Sequence, residues 1–149
     1  MRSVDVLGLP LHPLVVHAAV VFVPLAAVAA LLVAFWPTVR TRHGWLVVGL
    51  VVVAAGSALA ARLSGQDFIE SMGGGTPAAQ AHTAWGLVAP FPAIALAVSV
   101  PALVWLDRRR GSSRPLRLVL VAVTVLSAAA ALVLIGLTGH SGATAVWAP

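Results

Sequence analysis

The sequence predicts an all-α integral membrane protein: a four-helix up-down bundle with both termini on the outer side. Three observations carry that prediction. Hydrophobic residues make up 60% of the chain and charged residues 9%, too little polar surface to cover a core in water. Four apolar runs approach the roughly 20 residues that a bilayer crossing requires. The links between the runs are short, which favours antiparallel neighbours. At 149 residues, the chain reads as one domain, 1–149, with no internal repeat and no soluble second unit.

The first run, 14–36, opens on Pro13, which is tolerated in the first turn of a helix because no amide donor is needed there. Pro24 lies inside it and predicts a kink. Only Arg2 precedes the run, offset by Asp5, and the run is too long for a signal-peptide core, so it is expected to be retained as a helix. The second run, 45–62, is shorter and closes on Arg62, whose long stem can snorkel to the interface. Gly49, Gly56 and Ala60 give it positions where another helix could approach closely. The third run, 82–106, carries Pro90, Pro92 and Pro101 and is expected to be bent or locally unwound. The fourth, 117–138, is the most regular, with Gly139 placed as a helix stop. Residues 37–44, 64–81 and 107–117 are read as links, the middle one containing Gly73, Gly74 and Gly75.

The formal charge of +5 rests on arginine alone. Arg40, Arg42, Arg108, Arg109, Arg110, Arg114 and Arg117 fall in or beside the first and third links, which the positive-inside rule makes cytoplasmic. Trp36, Trp45 and Trp105 mark the same interface, and Trp85 and Trp147 the opposite one. The Arg108–Arg110 run is read as anchoring at the interface, with no role for nucleic acid. The chain is therefore expected in a cell membrane as a multi-pass protein, with the lipid bilayer as its first partner. The absence of cysteine excludes disulfides, thiolate metal ligands, iron–sulfur clusters and covalent haem attachment.

Histidine carries the functional reading. In this topology His12, His17, His82 and His140 all lie at the outer level, on three helices, and only His43 is cytoplasmic. A lone histidine at a headgroup is an ordinary interfacial residue. A set brought in from distant parts of the chain points to a ligand site. Between His12 and His17 a helical side chain rotates by about 140°, so the two do not share a face well. With Pro13 as the first helical residue, His12 becomes a cap or loop residue and His17 the buried ligand. Helices one and three are diagonal in such a bundle, and His17 and His82 are placed to hold a haem b by two neutral imidazoles. Arg62 is at the level of a haem propionate or, equally, a plain interfacial anchor. His12 and His140 are then hydrogen-bond partners, an alternative axial ligand, or ligands of a second site.

The competing readings are a histidine-bound metal ion (zinc, copper or iron) and a structural accessory subunit with no turnover. The expected role is electron transfer or accessory rather than stand-alone catalysis, with an oligomer as one expected form. The predicted helices carry no acidic residue, which disfavours a carboxylate-bridged di-iron site and an ion-coupled transporter. Ser57, Ser99, Thr124 and Ser127 read as local or interhelical hydrogen-bonding residues. Gly139-His140-Ser141-Gly142 superficially suggests a serine nucleophile motif but lacks the strand–turn–helix setting.

Leu11-His12-Pro13-Leu14-Val15-Val16-His17, His82 at the start of helix three and Gly139-His140-Ser141-Gly142 together resemble a family of bacterial four-helix membrane proteins of unknown function. The resemblance spans nearly the whole chain and implies that His12, His17, His82 and His140 match the motif histidines. Some relatives are similar to fusions with Rieske-type or cytochrome-like modules, which implies redox membrane subunits as company in an inner membrane. The family motif more usually reads Gly-His-x-Gly followed by a longer tail than this chain has.

Overall fold

The computed structural model describes residues 5–6, 9–109 and 113–147. Arg2 and Arg110, counted in the charge pattern, lie outside them. A two-residue antiparallel ladder, β1 (Asp5–Val6) with β2 (Leu9–Pro10), precedes five helices. These are α1 (Leu11–Phe35), α2 (Pro37–Ser71), α3 (Pro77–Val88), α4 (Pro90–Arg108) and α5 (Arg114–Trp147). Taking α3 and α4 as one bent crossing, four helices are long and apolar enough to span a membrane.

The third crossing is broken into two helices at the position the prolines predict. Ala89 interrupts the ladder and Pro90, which has no amide hydrogen, restarts it as the first residue of α4. The helix ends differ from expectation, and all but the end of the first helix do so by extension. Helix one begins at Leu11, so His12 is helical and Pro13 lies within the first turn. The proposed 37–44 link is helix as well: only Trp36 is extended, and Pro37 opens α2. That helix continues past Arg62 to Ser71, taking in the first part of the middle link. Gly73 and Gly74 then close it with positive φ of 68° and 94°, their amides donating to the carbonyls of Glu70 and Ile69 at 3.0 Å each. Thr76 caps α3 by accepting the Ala79 amide at 3.2 Å. Gly139 does not stop the fourth crossing: α5 runs on through it to Trp147. A glycine inside a helix costs about 1 kcal/mol, too little to break a ladder supported on both sides.

Each helix packs on two neighbours in the ring α1–α2–α4–α5, with α1 and α4 on the diagonal, while α3 leans mainly on α5. The core is small and apolar: Val23, Ala26, Ala30 and Val33 of α1 meet Val51 and Ala54 of α2, Leu96, Val100 and Leu103 of α4, and Ala128 and Ala131 of α5. Alanine at so many interior positions lets the helix axes approach closely, which dispersion rewards in a lipid setting.

The burial pattern adds a regularity between the two halves of the chain. One constant offset carries Val23, Ala26, Ala30, Val33 and Ala34 of α1 onto Ala93, Leu96, Val100, Leu103 and Val104 of α4, all buried. The same offset carries His12 onto His82. A second offset carries Val47, Val51 and Ala54 of α2 onto Thr124, Ala128 and Ala131 of α5, again all buried. It also carries Arg40 onto Arg117, Ala61 onto Thr138, and Ser64-Gly65 onto Ser141-Gly142. The bundle is two helical hairpins, α1–α2 and α3/α4–α5, whose buried positions correspond in part at these two offsets.

At one end the repeat converges on a single carboxylate. Arg40 Nε donates to Asp107 Oδ2 at 2.6 Å, and Arg117 Nε lies 3.2 Å from Asp107 Oδ1. Arg40 also donates to the carbonyls of Val33 and Ala34 at 2.9 and 3.2 Å. All four crossings are thereby tied together at the arginine-rich end.

Candidate functional site

At the opposite end the two hairpins present the same arrangement twice. His12, on the first turn of α1, directs Nδ1 to Ser64 Oγ of α2 at 3.2 Å. The Ser64 hydroxyl donates to the Ala61 carbonyl at 3.2 Å. His82, on α3, directs Nδ1 to Ser141 Oγ of α5 at 3.2 Å and to the Thr138 carbonyl at 3.0 Å. The Ser141 hydroxyl donates to the same Thr138 carbonyl at 3.0 Å.

Beneath each ring lies a glycine. A Cβ added at Gly65 would sit 2.9 Å from His12 Cε1, and one at Gly142 would sit 3.1 Å from His82 Cε1. Each imidazole thus docks on a Ser-Gly step of the next helix, the serine fixing its nitrogen and the glycine making room for its ring. The chain contains two Ser-Gly steps, and both are used this way.

The hydrogen bonds fix the tautomer. A carbonyl oxygen can only accept, so the Thr138 contact places the proton of neutral His82 on Nδ1. With the Ser64 proton on Ala61, His12 likewise donates from Nδ1. Both rings then leave Nε2 with a free lone pair, the arrangement that orients histidine as a metal ligand. Phe68 stacks on His12 with ring centroids 5.8 Å apart and planes 24° apart, closing one side.

The other sequence-predicted residues lie elsewhere. His17 is exposed, and its Nδ1 binds the Pro13 carbonyl of its own helix, so the expectation that it is the buried histidine is corrected. The reason is the helix start: once His12 is helical, the rotation of about 140° sends one of the pair inward and the other outward. His140 is exposed on α5, one residue before the Ser-Gly step that His82 uses. Arg62 lies 5.4 Å over the Phe91 ring, between α2 and α4. His43 is exposed on α2, near the arginine cluster. The four outer histidines therefore do not form one cluster, and among the described residues no group of three or more His, Cys, Asp or Glu could hold a metal ion.

Ser64, Gly65, Ser141 and Gly142 were missed by sequence reasoning as parts of the site. Their signal was the repeated dipeptide at one interval from an arginine: Arg40 to Ser64 equals Arg117 to Ser141. A separate groove of about 540 Å³ runs between the end of α2 and α3, lined by Ile69, Gln80, Ala84 and Leu87. Its α3 residues lie on a different face from His82, so it is a distinct feature.

Residues 8–149 match a family described as predicted membrane protein (DUF2231), and the chain belongs to that family. No curated protein and no solved structure matches the chain.

Proposed function

For this member of a family of predicted membrane proteins, we propose a b-type cytochrome-like role: His12 and His82 together hold a haem between the hairpins, near one face of the membrane. The observation that carries it is the pair of repeat-related imidazoles, each pinned through Nδ1 to a neighbouring helix with Nε2 left free. Donor count favours haem over a bare ion. A four-coordinate zinc or copper site needs several protein ligands, whereas a porphyrin supplies four nitrogens of its own and asks for one or two axial imidazoles. Two histidines without a carboxylate suit the second case.

Bound haem supplies reversible one-electron chemistry. The chain holds the rings and keeps their protons on Nδ1, and its apolar helices exclude water. By the positive-inside rule the arginine-rich end is cytoplasmic, which puts the histidine end and both termini outward, in a bacterial inner membrane. A redox complex in the same membrane is the natural partner.

Absorption spectroscopy on the detergent-purified protein tests this, before and after adding haemin to make good any shortfall in loading. A Soret band with an alpha band that sharpens on reduction is expected. A folded, colourless protein that takes up no haemin would contradict the reading.

A further inference from the structure

The arginine-rich end carries a feature that the repeat does not require. Trp45 of α2 lies under Arg108 of α4, with the guanidinium carbon 5.6 Å from the ring centroid. Trp105 lies under Arg109, 3.6 Å away. Trp105 and Arg108 lie one turn apart on α4, Arg109 follows as its extended C-cap, and Arg42 lies one turn before Trp45 on α2. All five are exposed, and they form one patch where α2 and α4 meet. Asp107 is the carboxylate at this end among the described residues, and Arg40 and Arg117 engage its two oxygens. No carboxylate is therefore left for Arg42, Arg108 or Arg109.

The other hairpin supplies an internal control. At the positions that correspond by the two offsets stand Val119 and Ala122 of α5, Phe35 of α1, and Thr38 and Val39 of the first turn of α2. The fold is thus satisfied without tryptophan or arginine at these places. A guanidinium stacked flat on an indole keeps its edge N–H donors free, in the fork that matches phosphate oxygens. Tryptophan rings at this depth sit at headgroup level.

We propose that the junction of α2 and α4 at the arginine-rich end is a binding site for the phosphodiester of an anionic phospholipid, absent from the junction of α5 and α1. A headgroup of net negative charge is preferred to a zwitterionic one because the patch has no acid to receive an ammonium.

The test uses vesicles of phosphatidylcholine doped with bromine-labelled phosphatidylglycerol or bromine-labelled phosphatidylcholine, with tryptophan fluorescence as the readout. A full-length variant with Trp36, Trp85 and Trp147 changed to Phe reports from Trp45 and Trp105 alone. The anionic probe should quench at a several-fold lower mole fraction than the zwitterionic one. R108Q/R109Q should remove most of that preference, at roughly fivefold per arginine. Inorganic phosphate should lower the quenching no more than chloride does at the same ionic strength, where both only screen the patch. Equal quenching by the two lipids, insensitivity to R108Q/R109Q, or displacement by inorganic phosphate beyond the effect of chloride would each overturn the proposal. Should the tryptophan variant fail to fold, the unsubstituted protein is passed through detergent exchange and its retained lipid analysed. Enrichment of anionic over zwitterionic headgroups relative to the input supports the site, and its absence overturns it.

Discussion

The two hairpins share a central set of buried positions and differ in what they place around them. In α1–α2 the arginine facing Asp107 is enclosed: the Arg40 side chain is 5% exposed, against 43% for Arg117 of the second hairpin. His12 has Phe68 stacked upon it, while the equivalent of Phe68 beside His82 is Ala145. In α3/α4–α5 a buried polar pair, Ser99 with Thr124 at 3.1 Å, stands where the first hairpin has Ala29 and Val47. What the hairpins share, the Ser-Gly cradles and the apolar layers, is what the duplicated architecture needs. What they do not share locates specialisation.

Removing the shared counter-charge should have the largest effect. Asp107→Ala leaves Arg40 buried without its carboxylate and is expected to cost about 3–5 kcal/mol, read as an early thermal transition in detergent. The arginines then separate the hairpins. Arg40→Gln should cost several times more than Arg117→Gln, which at its exposure is expected to stay near or below about 1 kcal/mol. Equal losses would mean that the hairpins share the load at this end.

Glycine substitutions sharpen the comparison at the other end. Gly65→Ala forces the His12 ring to move, and overpacking of about 1–3 kcal/mol should outweigh the roughly 1 kcal/mol that alanine adds to a helix. Gly142→Ala has slightly more space and should come out nearer neutral. Gly49→Ala and Gly56→Ala meet nothing within 4 Å and should raise the melting temperature. The smallest effect is expected from Thr124→Val. It removes the interhelical bond to Ser99 at a cost of about 0.6 kcal/mol, the usual value for such bonds within membranes.

The four crossings and the bend at Pro90 were legible because hydropathy and proline act locally. Helix ends were not, because an apolar run reports where lipid lies while the backbone ladder continues into the headgroups, as α2 and α5 both do. For the histidines, the sequence told that His12 and His17 face apart; which one faces in depended on a helix start that hydropathy misplaced. The repeat was hidden because its partners differ in identity, as with Val47 and Thr124 or Ala61 and Thr138, and agree in burial and contact. Arg40 read as a topology signal and proved to be a buried tie between helices.

The central claim is that two repeat-related histidines, and not the two exposed ones, form the ligand pair. The direct measurement is haem retained per protein in four single variants, His12→Ala, His82→Ala, His17→Ala and His140→Ala, each checked for folding by its elution profile. Loss or a clear spectral shift in the first two, with the last two matching the unsubstituted protein, is the predicted result. Loss of haem on changing His17 or His140 while the His12 variant stays unaltered would contradict it.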